Sequence, residues 1–177
     1  MAVIYTIGHS TRTLDELVGA LQGQAIQTLI DIRAFPMSRR LPHFNRESLE
    51  QELPKHGVAY VWLKALGGRR KKLRDDSPNT ALRNESFRNY ADYMMTDEFG
   101  SAIDRLVENA DREKTGIMCA ERVYFQCHCM LVSDYLVAHG HTVLHIDDEK
   151  RPVRPHTLMS EARLVDEKLV YDGGRLL

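Results

Sequence analysis

Short apolar runs that alternate with amphipathic segments are the feature that most constrains the fold of this chain. Five runs have strand length and are rich in β-branched residues, at 3–7, 28–32, 58–63, 115–120 and 141–146. Alternating strands and helices form a parallel sheet covered on both faces, because parallel neighbours need crossover connections. We therefore expect a three-layer α/β sandwich with a mainly parallel five-stranded sheet. An order such as 3-2-1-4-5 would place the reversal of direction between the first and fourth strands.

Helix signals follow the apolar runs. Thr13-x-x-Glu16 is a capping box ahead of apolar residues at helical spacing. Asn45 predicts a short helix, and Ser86 and Thr96 open two more. A further helix is predicted over 127–139, ending at Gly140. In the tail we expect one helix over 157–167 and a short strand over 169–171.

Composition describes an ordinary globular chain. With 177 residues, 43% apolar residues and a net charge of −1, it is expected to form a single domain over 1–177 rather than a disordered polymer. Three cysteines in a chain of this length argue against a disulfide scaffold. No apolar run is long enough to span a bilayer, and the first residues do not resemble a signal peptide. We expect a cytoplasmic protein that does not interact with membranes.

The near-neutral charge is unevenly distributed. Residues 1–74 have a net charge of +6, and residues 75–177 have a net charge of −7. This asymmetry hints at an anionic partner, unless the two signs intermix on the folded surface.

Polar residues gather where the predicted strands end. Ligands of open α/β sheets bind beyond the carboxyl ends of the strands, so these residues are the first candidates for a site. They are His9 and Ser10 after the first strand, Asp31 and Arg33 at the second, Gly67, Gly68, Arg69 and Arg70 after the third, Cys119 and Glu121 at the fourth, and Cys127 and His128 at the next helix.

Each candidate also has a purely structural interpretation. His9 and Ser10 could simply end the strand. Asp31 lies in an apolar strand on the same face as Arg33, which suits either a structural ion pair or a clamp for phosphate or carboxylate.

The segment from Cys119 to Cys129 offers three kinds of chemistry. Cys127 could be a nucleophile activated by a helix N-terminus and His128. Alternatively, Glu121 is the reacting group and the thiols only shape its pocket. The third possibility, a zinc or iron site, lacks the usual ligand spacing, and the remaining interpretation is that the cysteines are small buried core residues.

Two basic loops are the other functional candidate. The first, over 33–46, includes Arg39 and Arg40 with Phe35 and Phe44, and the second, over 64–74, includes the cations from Arg69 to Arg74. Clustered cations near aromatic rings suit phosphates and unstacked bases, although a solvated loop has the same composition. Neither a phosphate loop nor a dinucleotide glycine pattern is present, so the sequence identifies no cofactor.

Several motifs together resemble a known family. They are Tyr5-Thr6-Ile7-Gly8-His9-Ser10, Asp31-x-Arg33-x-x-Pro36-x-Ser38, Leu66-Gly67-Gly68, Tyr90-Ala91-Asp92-Tyr93-Met94, Cys119-Ala120-Glu121 and Cys127-His128. The chain resembles the bacterial and archaeal family known as domain of unknown function 488. The resemblance implies a small cytosolic protein with a Rossmann-like core and an undefined catalytic or ligand-binding role.

One position departs from the family pattern as we interpret it. In the family pattern an arginine follows the Cys-His pair, whereas this chain has Cys129 at that position. The positive charge would then come from Arg33 or a basic loop, or Cys129 would form a dithiol with Cys127.

These observations predict a small enzyme of hydrolase or transferase type acting on an anionic, phosphorylated or nucleotide-like substrate. Glu121 or Cys127 would react, with Cys119 nearby and His9 or His128 carrying the proton. The predicted binding residues are Ser10, Asp31, Arg33, Ser38, Arg39, Gly67, Gly68, Arg69 and Arg70. The alternatives are a non-catalytic nucleic-acid-binding module and a cysteine-based redox or metal sensor. The sequence does not indicate an oligomeric state.

Overall fold

A computed structural model describes residues 1–173 of the chain. Its α-helices are α1 (Leu14–Gly23), α2 (Arg46–Glu52), α3 (Glu85–Tyr93), α4 (Asp97–Arg112) and α5 (Cys129–Ala138). Its strands are β1 (Val3–Gly8), β2 (Thr28–Asp31), β3 (Ala59–Trp62), β4 (Thr115–Cys119), β5 (Thr142–Ile146), β6 (Arg154–Pro155), β7 (Ala162–Val165) and β8 (Lys168–Tyr171). Short 3-10 turns occur at Pro42–Phe44, Leu53–His56, Lys64–Leu66 and Tyr124–Gln126.

The central sheet has the order β3-β2-β4-β1-β5-β6, with β1 to β5 parallel and β6 antiparallel to β5. The mixed α/β class and the mainly parallel sheet are confirmed. The sheet has six strands rather than five, and β4 lies between β2 and β1, so the order 3-2-1-4-5 was wrong. Alternation of strands and helices determines parallel pairing but does not determine which strand is inserted between two others.

The reversal of direction still lies between β1 and β4. From β1 the chain crosses over β4 to reach β2, whereas from β4 it crosses over β1 to reach β5. Adjacent strands with oppositely directed connections mark the switch point of an open sheet.

Consecutive strand residues point to opposite faces of the sheet. Ile4 and Ile117 pack in a core with α3, α4, α5 and the β7–β8 hairpin, while Tyr5 and Met118 pack in a second core with α1 and α2. The sheet is therefore the middle layer of a three-layer sandwich. No helix within residues 1–173 is long and apolar enough to cross a membrane.

Two predicted helix starts are confirmed, and in both the capping side chain bonds to a backbone amide three residues further on. The Thr13–Glu16 capping box is present, and the Thr96 hydroxyl accepts a hydrogen bond from the Phe99 amide. The α3 helix begins at Glu85 rather than Ser86, because Asn84 is its N-cap. The α5 helix begins at Cys129 rather than Cys127, because the 3-10 turn Tyr124–Gln126 precedes it.

The predicted tail helix over 157–167 was wrong. Residues Ala162–Val165 form β7, which pairs with β8 through a tight turn at Asp166 and Glu167. Both turn residues have positive φ, 48° and 67°, as a two-residue hairpin turn requires. The predicted strand over 169–171 is confirmed as part of β8.

Candidate functional site

A cleft of about 380 Å³ lies beyond the carboxyl ends of β2 and β4. We call it the main cleft. Seven of the predicted site residues line it: Arg33, Gly68, Arg69, Cys119, Glu121, Cys127 and His128. Its wall also includes Phe35, Met37, Phe87 and Gln126. Loops after three parallel strands therefore meet at one edge of the sheet, whereas the loop after β1, which the sequence also placed there, does not line this cleft.

Cys127 and His128 form a hydrogen-bonded pair in the wall of the main cleft. The His128 ring nitrogen Nε2 lies 3.0 Å from the carbonyl oxygen of Ile32, and Nδ1 lies 3.3 Å from Cys127 Sγ. A carbonyl only accepts, so Nε2 carries the proton and Nδ1 is left as an acceptor for the thiol. The imidazole is thus oriented by Ile32 as a base toward Cys127.

The Cys127 thiol is protonated before any reaction. A hydrogen bond with Cys119, and then burial, raise the pKa of Cys127 above its usual value, and His128 only partly opposes this. The pKa of Cys119 is also raised, since its contact with Cys129 and burial outweigh the hydrogen bond with Cys127. The expectation of a thiolate stabilised by the α5 N-terminus does not hold, because Cys127 precedes that helix. Deprotonation of Cys127 therefore depends on a neighbouring base.

Arg33 is anchored at the back of the cleft by Asp31. Arg33 Nε and Nη2 donate hydrogen bonds to the Asp31 carboxylate over 2.7 to 3.1 Å, and Nη2 also donates to the carbonyl of Phe44. Although burial opposes it, the Asp31 carboxylate raises the pKa of Arg33. The Asp31–Arg33 ion pair predicted from the sequence is therefore present. Arg33 Nη1 carries two N–H groups, of which one faces His9 and the other can donate to a ligand.

His9 supports Arg33 from behind and does not line the main cleft. Its Nδ1 lies 2.9 Å from the Ser10 carbonyl oxygen and its Nε2 lies 3.3 Å from Arg33 Nη1, so Nδ1 donates and Nε2 accepts. Burial lowers the pKa of His9 to about 4. The neutral ring stacks on Phe44 with centroids 4.4 Å apart. Both ring nitrogens are occupied, which suits a positioning residue better than a proton carrier.

Two glycines allow the loops around the cleft to approach closely. A Cβ on Gly68 would lie 2.5 Å from His128 Nδ1, and a Cβ on Gly8 would lie 1.7 Å from the carbonyl oxygen of Glu121. Any side chain at Gly68 would push His128 away from Cys127. Gly68 is therefore explained by packing around the His128 ring, whereas a Cβ on Gly67 would lie 2.8 Å from the Cα of Ala34.

Comparison with known proteins assigns the chain to a family. A family model described as Domain of unknown function DUF488 matches residues 13–136. The chain belongs to the DUF488 family. The match contains Arg33, Glu121, Cys127 and His128, whereas His9, Ser10 and the β7–β8 hairpin lie outside it. No curated protein and no solved structure matched the chain.

Several predicted residues of this DUF488 protein lie outside the main cleft. Asp31 and Ser38 hold neighbouring groups in place: the Ser38 hydroxyl accepts a hydrogen bond from the Leu41 amide, and the Ser38 amide donates to Asn45. Arg39 is exposed and does not line the cleft. Ser10 lies on the far side of the Glu121 loop, in the wall of a different cleft.

The second basic loop is largely occupied by its own contacts. Arg70 donates to the carbonyls of Lys64, Ala65 and Gly67 and lies 3.7 Å from the centroid of the Tyr93 ring. Its neighbours Lys72 and Arg74 form ion pairs with Asp75 and Asp76, respectively. Arg69, which lies 5.4 Å from the centroid of the Phe35 ring, is the member of this loop that lines the cleft.

The sequence did not single out Ser86, Phe87 and Gln126 as cleft residues. Ser86 and Phe87 belong to α3 and not to a strand end, so reasoning from the sheet edge does not reach them. The alternation of polar and apolar residues in α3 was the only available signal, and it indicates a helix rather than a site.

A metal centre has no geometric support in the described part of the chain. Within residues 1–173, no group of three or more His, Cys, Asp and Glu side chains is arranged to hold a metal ion. Cys119, Cys127 and Cys129 are buried free thiols.

Proposed function

We propose that this DUF488 protein is an enzyme of hydrolase or transferase type in which Cys127 is the nucleophile and His128 is its general base. The observation that carries this proposal is the chain of contacts from Cys127 Sγ to His128 Nδ1 and from His128 Nε2 to the Ile32 carbonyl. A nucleophile, a base and a group that orients the base are the parts that thiol and serine catalysis share.

The raised pKa of Cys127 determines the order of events. The thiol attacks an electrophilic atom of the substrate while its proton passes to His128 Nδ1, and the resulting imidazolium keeps its Nε2 proton on the Ile32 carbonyl. The leaving group departs with its electron pair and takes up a proton. Water or a second acceptor then releases the substrate fragment from Cys127.

The substrate is proposed to be anionic, with a phosphate or carboxylate group bound by Arg33 and Arg69. Arg33 is held rigidly by Asp31, so little conformational entropy is lost when it binds an anion. Arg69 is exposed at the mouth of the cleft, beside the Phe35 ring, which is 65% exposed. A flat, partly apolar substrate group would pack on Phe35, which favours a nucleotide-like molecule.

Glu121 is proposed as the second proton-transfer group. Its side chain is exposed, and the residue lines the same cleft as Cys127. In this role Glu121 protonates the leaving group while His128 deprotonates the thiol. The three free thiols are also in keeping with a reducing compartment, and we propose a cytoplasmic location.

The proposal is tested with small phosphate esters and acyl phosphates as probe substrates. Cys127→Ser should abolish turnover, and Glu121→Gln should slow it without preventing covalent labelling of Cys127. Cys129→Ser is the matched control, since Cys129 is also a buried cysteine but does not line the cleft. Loss of turnover in Glu121→Gln with full turnover in Cys127→Ser would replace the thiol mechanism by a carboxylate mechanism.

A further inference from the structure

A second cleft, of about 390 Å³, lies on the other side of the Glu121 loop. It is lined by Ser10, Thr11, Arg12 and Glu16 after β1, by Arg122 after β4, and by 148–150 after β5. The close contact between Gly8 and Glu121 separates it from the main cleft. The second cleft is therefore at the switch point of the sheet, where ligands of open α/β folds bind.

The backbone of Ser10 is strained at the edge of this cleft. Ser10 has φ of 48°, in the left-handed region that residues with a side chain rarely adopt. Its amide is held by the carbonyl of Ala120 at 2.9 Å. Strain of this kind costs free energy and is concentrated at functional sites.

Arg12 is a buried cation held by backbone carbonyls. It is 8% exposed, and its guanidinium donates from Nε to Gly8 at 3.2 Å and from Nη2 to Asp147 at 2.8 Å. Arg33, which is also buried, has Asp31 as a counter-ion. Among residues 1–173, no carboxylate lies within ion-pairing distance of Arg12. The carboxylates of Asp148, Glu16 and Glu149 favour the charge of Arg12 from beyond ion-pair distance and only partly offset its burial. An anion bound in the cleft would add to this compensation.

A second cation lies close to Arg12. Burial, and then the positive charge of Arg122, lower the pKa of Arg12. The carboxylates of Asp148, Glu16 and Glu149 oppose this effect, and an anion between the two arginines would reduce their mutual repulsion further. Arg122 is exposed and lines the second cleft. Its neighbour Glu121 lines the main cleft, so the same loop contributes to both clefts.

The carboxylates of the second cleft limit what the anion can be. Glu16 accepts from the Thr13 amide and Asp148 accepts from the Lys150 amide, so both have further acceptor capacity facing the cleft. A ligand with hydroxyl groups would donate hydrogen bonds to these carboxylates while its anionic group binds the arginines.

We propose that the second cleft binds a small hydroxylated phosphate ester, with the phosphate between Arg12 and Arg122 and the hydroxyls on Glu16 and Asp148. The site is independent of Cys127, and its ligand need not be the substrate of the main cleft.

Calorimetric titration of the full chain with ribose 5-phosphate tests this proposal, with inorganic phosphate as the probe that lacks hydroxyls. We expect saturable binding of ribose 5-phosphate that persists when Arg69→Ala weakens binding in the main cleft, and weaker binding of inorganic phosphate. Arg122→Ala should weaken both by about tenfold or more, as expected for loss of a charged hydrogen bond. Glu16→Gln should weaken ribose 5-phosphate alone, because the glutamine retains the capping interaction but is a poorer acceptor.

Three variants distinguish binding in the second cleft from binding in the main cleft and from attraction to surface charge. Arg151→Ala, which removes an exposed arginine outside the cleft lining, should leave binding in the second cleft unchanged, as should Cys127→Ser. Arg69→Ala should weaken only a separate binding event in the main cleft. Loss of binding in Arg69→Ala but not in Arg122→Ala would mean that the anion occupies the main cleft and would overturn the proposal. So would the absence of saturable binding, or equal effects of Arg122→Ala and Arg151→Ala.

Discussion

His9 and His128 show how neighbouring backbone groups decide what a histidine can do. His9 follows β1 and His128 directly precedes α5, and the sequence offered both as proton carriers. The Ser10 carbonyl and Arg33 occupy both nitrogens of His9, whereas His128 keeps Nδ1 for the Cys127 thiol. The ring partners come from distant segments, so the sequence alone could not separate the two roles.

The Asp31–Arg33 ion pair, in contrast to the roles of the two histidines, could be predicted from the sequence, because residues two apart on a strand share a face. The sequence could not show that Tyr60 and Phe44 complete it, because these contacts depend on how β3 and the basic loop fold back.

Removing the Asp31 charge should destabilise the protein strongly. Asp31→Asn leaves the buried Arg33 guanidinium without a counter-ion, which costs about 3–5 kcal/mol of unfolding free energy. Urea denaturation at neutral pH measures this. The control is Asp15→Asn on the exposed first turn of α1, for which about 0.3–1 kcal/mol is expected. Equal losses in the two variants would show that Arg33 does not need Asp31.

Stability should also fall in weak acid because of His9. The pKa of His9 is about 4 in the folded chain against 6.5 when unfolded, so the unfolded state binds a proton first. The contribution of neutral His9 is complete above pH 6.5 and is lost as the pH falls toward 4. Urea midpoints measured from pH 7.5 to 4.5 should decline more steeply for the natural protein than for His9→Gln, which has no titrating ring. Parallel pH profiles would show that His9 does not cause the acid sensitivity.

At the scale of elements, the sequence correctly predicted the features that depend only on residues close together in the chain, such as helix caps. The capping residues Thr13 and Thr96 are correct because a cap depends on residues three positions away. The helix predicted over 157–167 was wrong because Leu158, Ala162 and Val165 match helical spacing by coincidence. In the folded chain, Ala162 is buried in the hairpin while Val165 is 36% exposed at its turn.

The loop that carries Gly68 should tolerate no side chain. Gly68→Ala would bring a Cβ to 2.5 Å from His128 Nδ1 and displace the ring from Cys127. We expect the alkylation rate of Cys127 to fall by about tenfold, since a general base contributes at least that much to proton transfer. Alkylation is followed by mass spectrometry of Cys127 peptides.

Gly23→Ala provides the matched control, because a Cβ at Gly23 meets nothing within 4 Å. That variant should alkylate at the natural rate. A normal rate in Gly68→Ala would indicate that the position of His128 does not control the thiol.

At the scale of the whole molecule, the sequence correctly located the switch point between β1 and β4. It did not indicate that the residues at this edge of the sheet line two separate clefts. Residues after β2, β3 and β4 converge on one cleft as predicted, while Ser10 faces another. The division arises because Gly8 lets the Glu121 loop lie directly against β1. The charge asymmetry of the chain is also partly cancelled locally, since Lys72 and Arg74 pair with Asp75 and Asp76 from the acidic part.

The central claim is that Cys127 is a nucleophile served by His128 beside an anion-binding wall. Its most direct test is the rate at which iodoacetate, compared with the neutral iodoacetamide, alkylates each cysteine, followed by peptide mass spectrometry. We predict that Cys127 reacts at least about tenfold faster than Cys129 and that it prefers the anionic reagent. Arg69→Ala should remove this preference, and His128→Gln should slow both reagents. Equal rates for Cys127 and Cys129, or a preference of Cys127 for iodoacetamide, would contradict this claim.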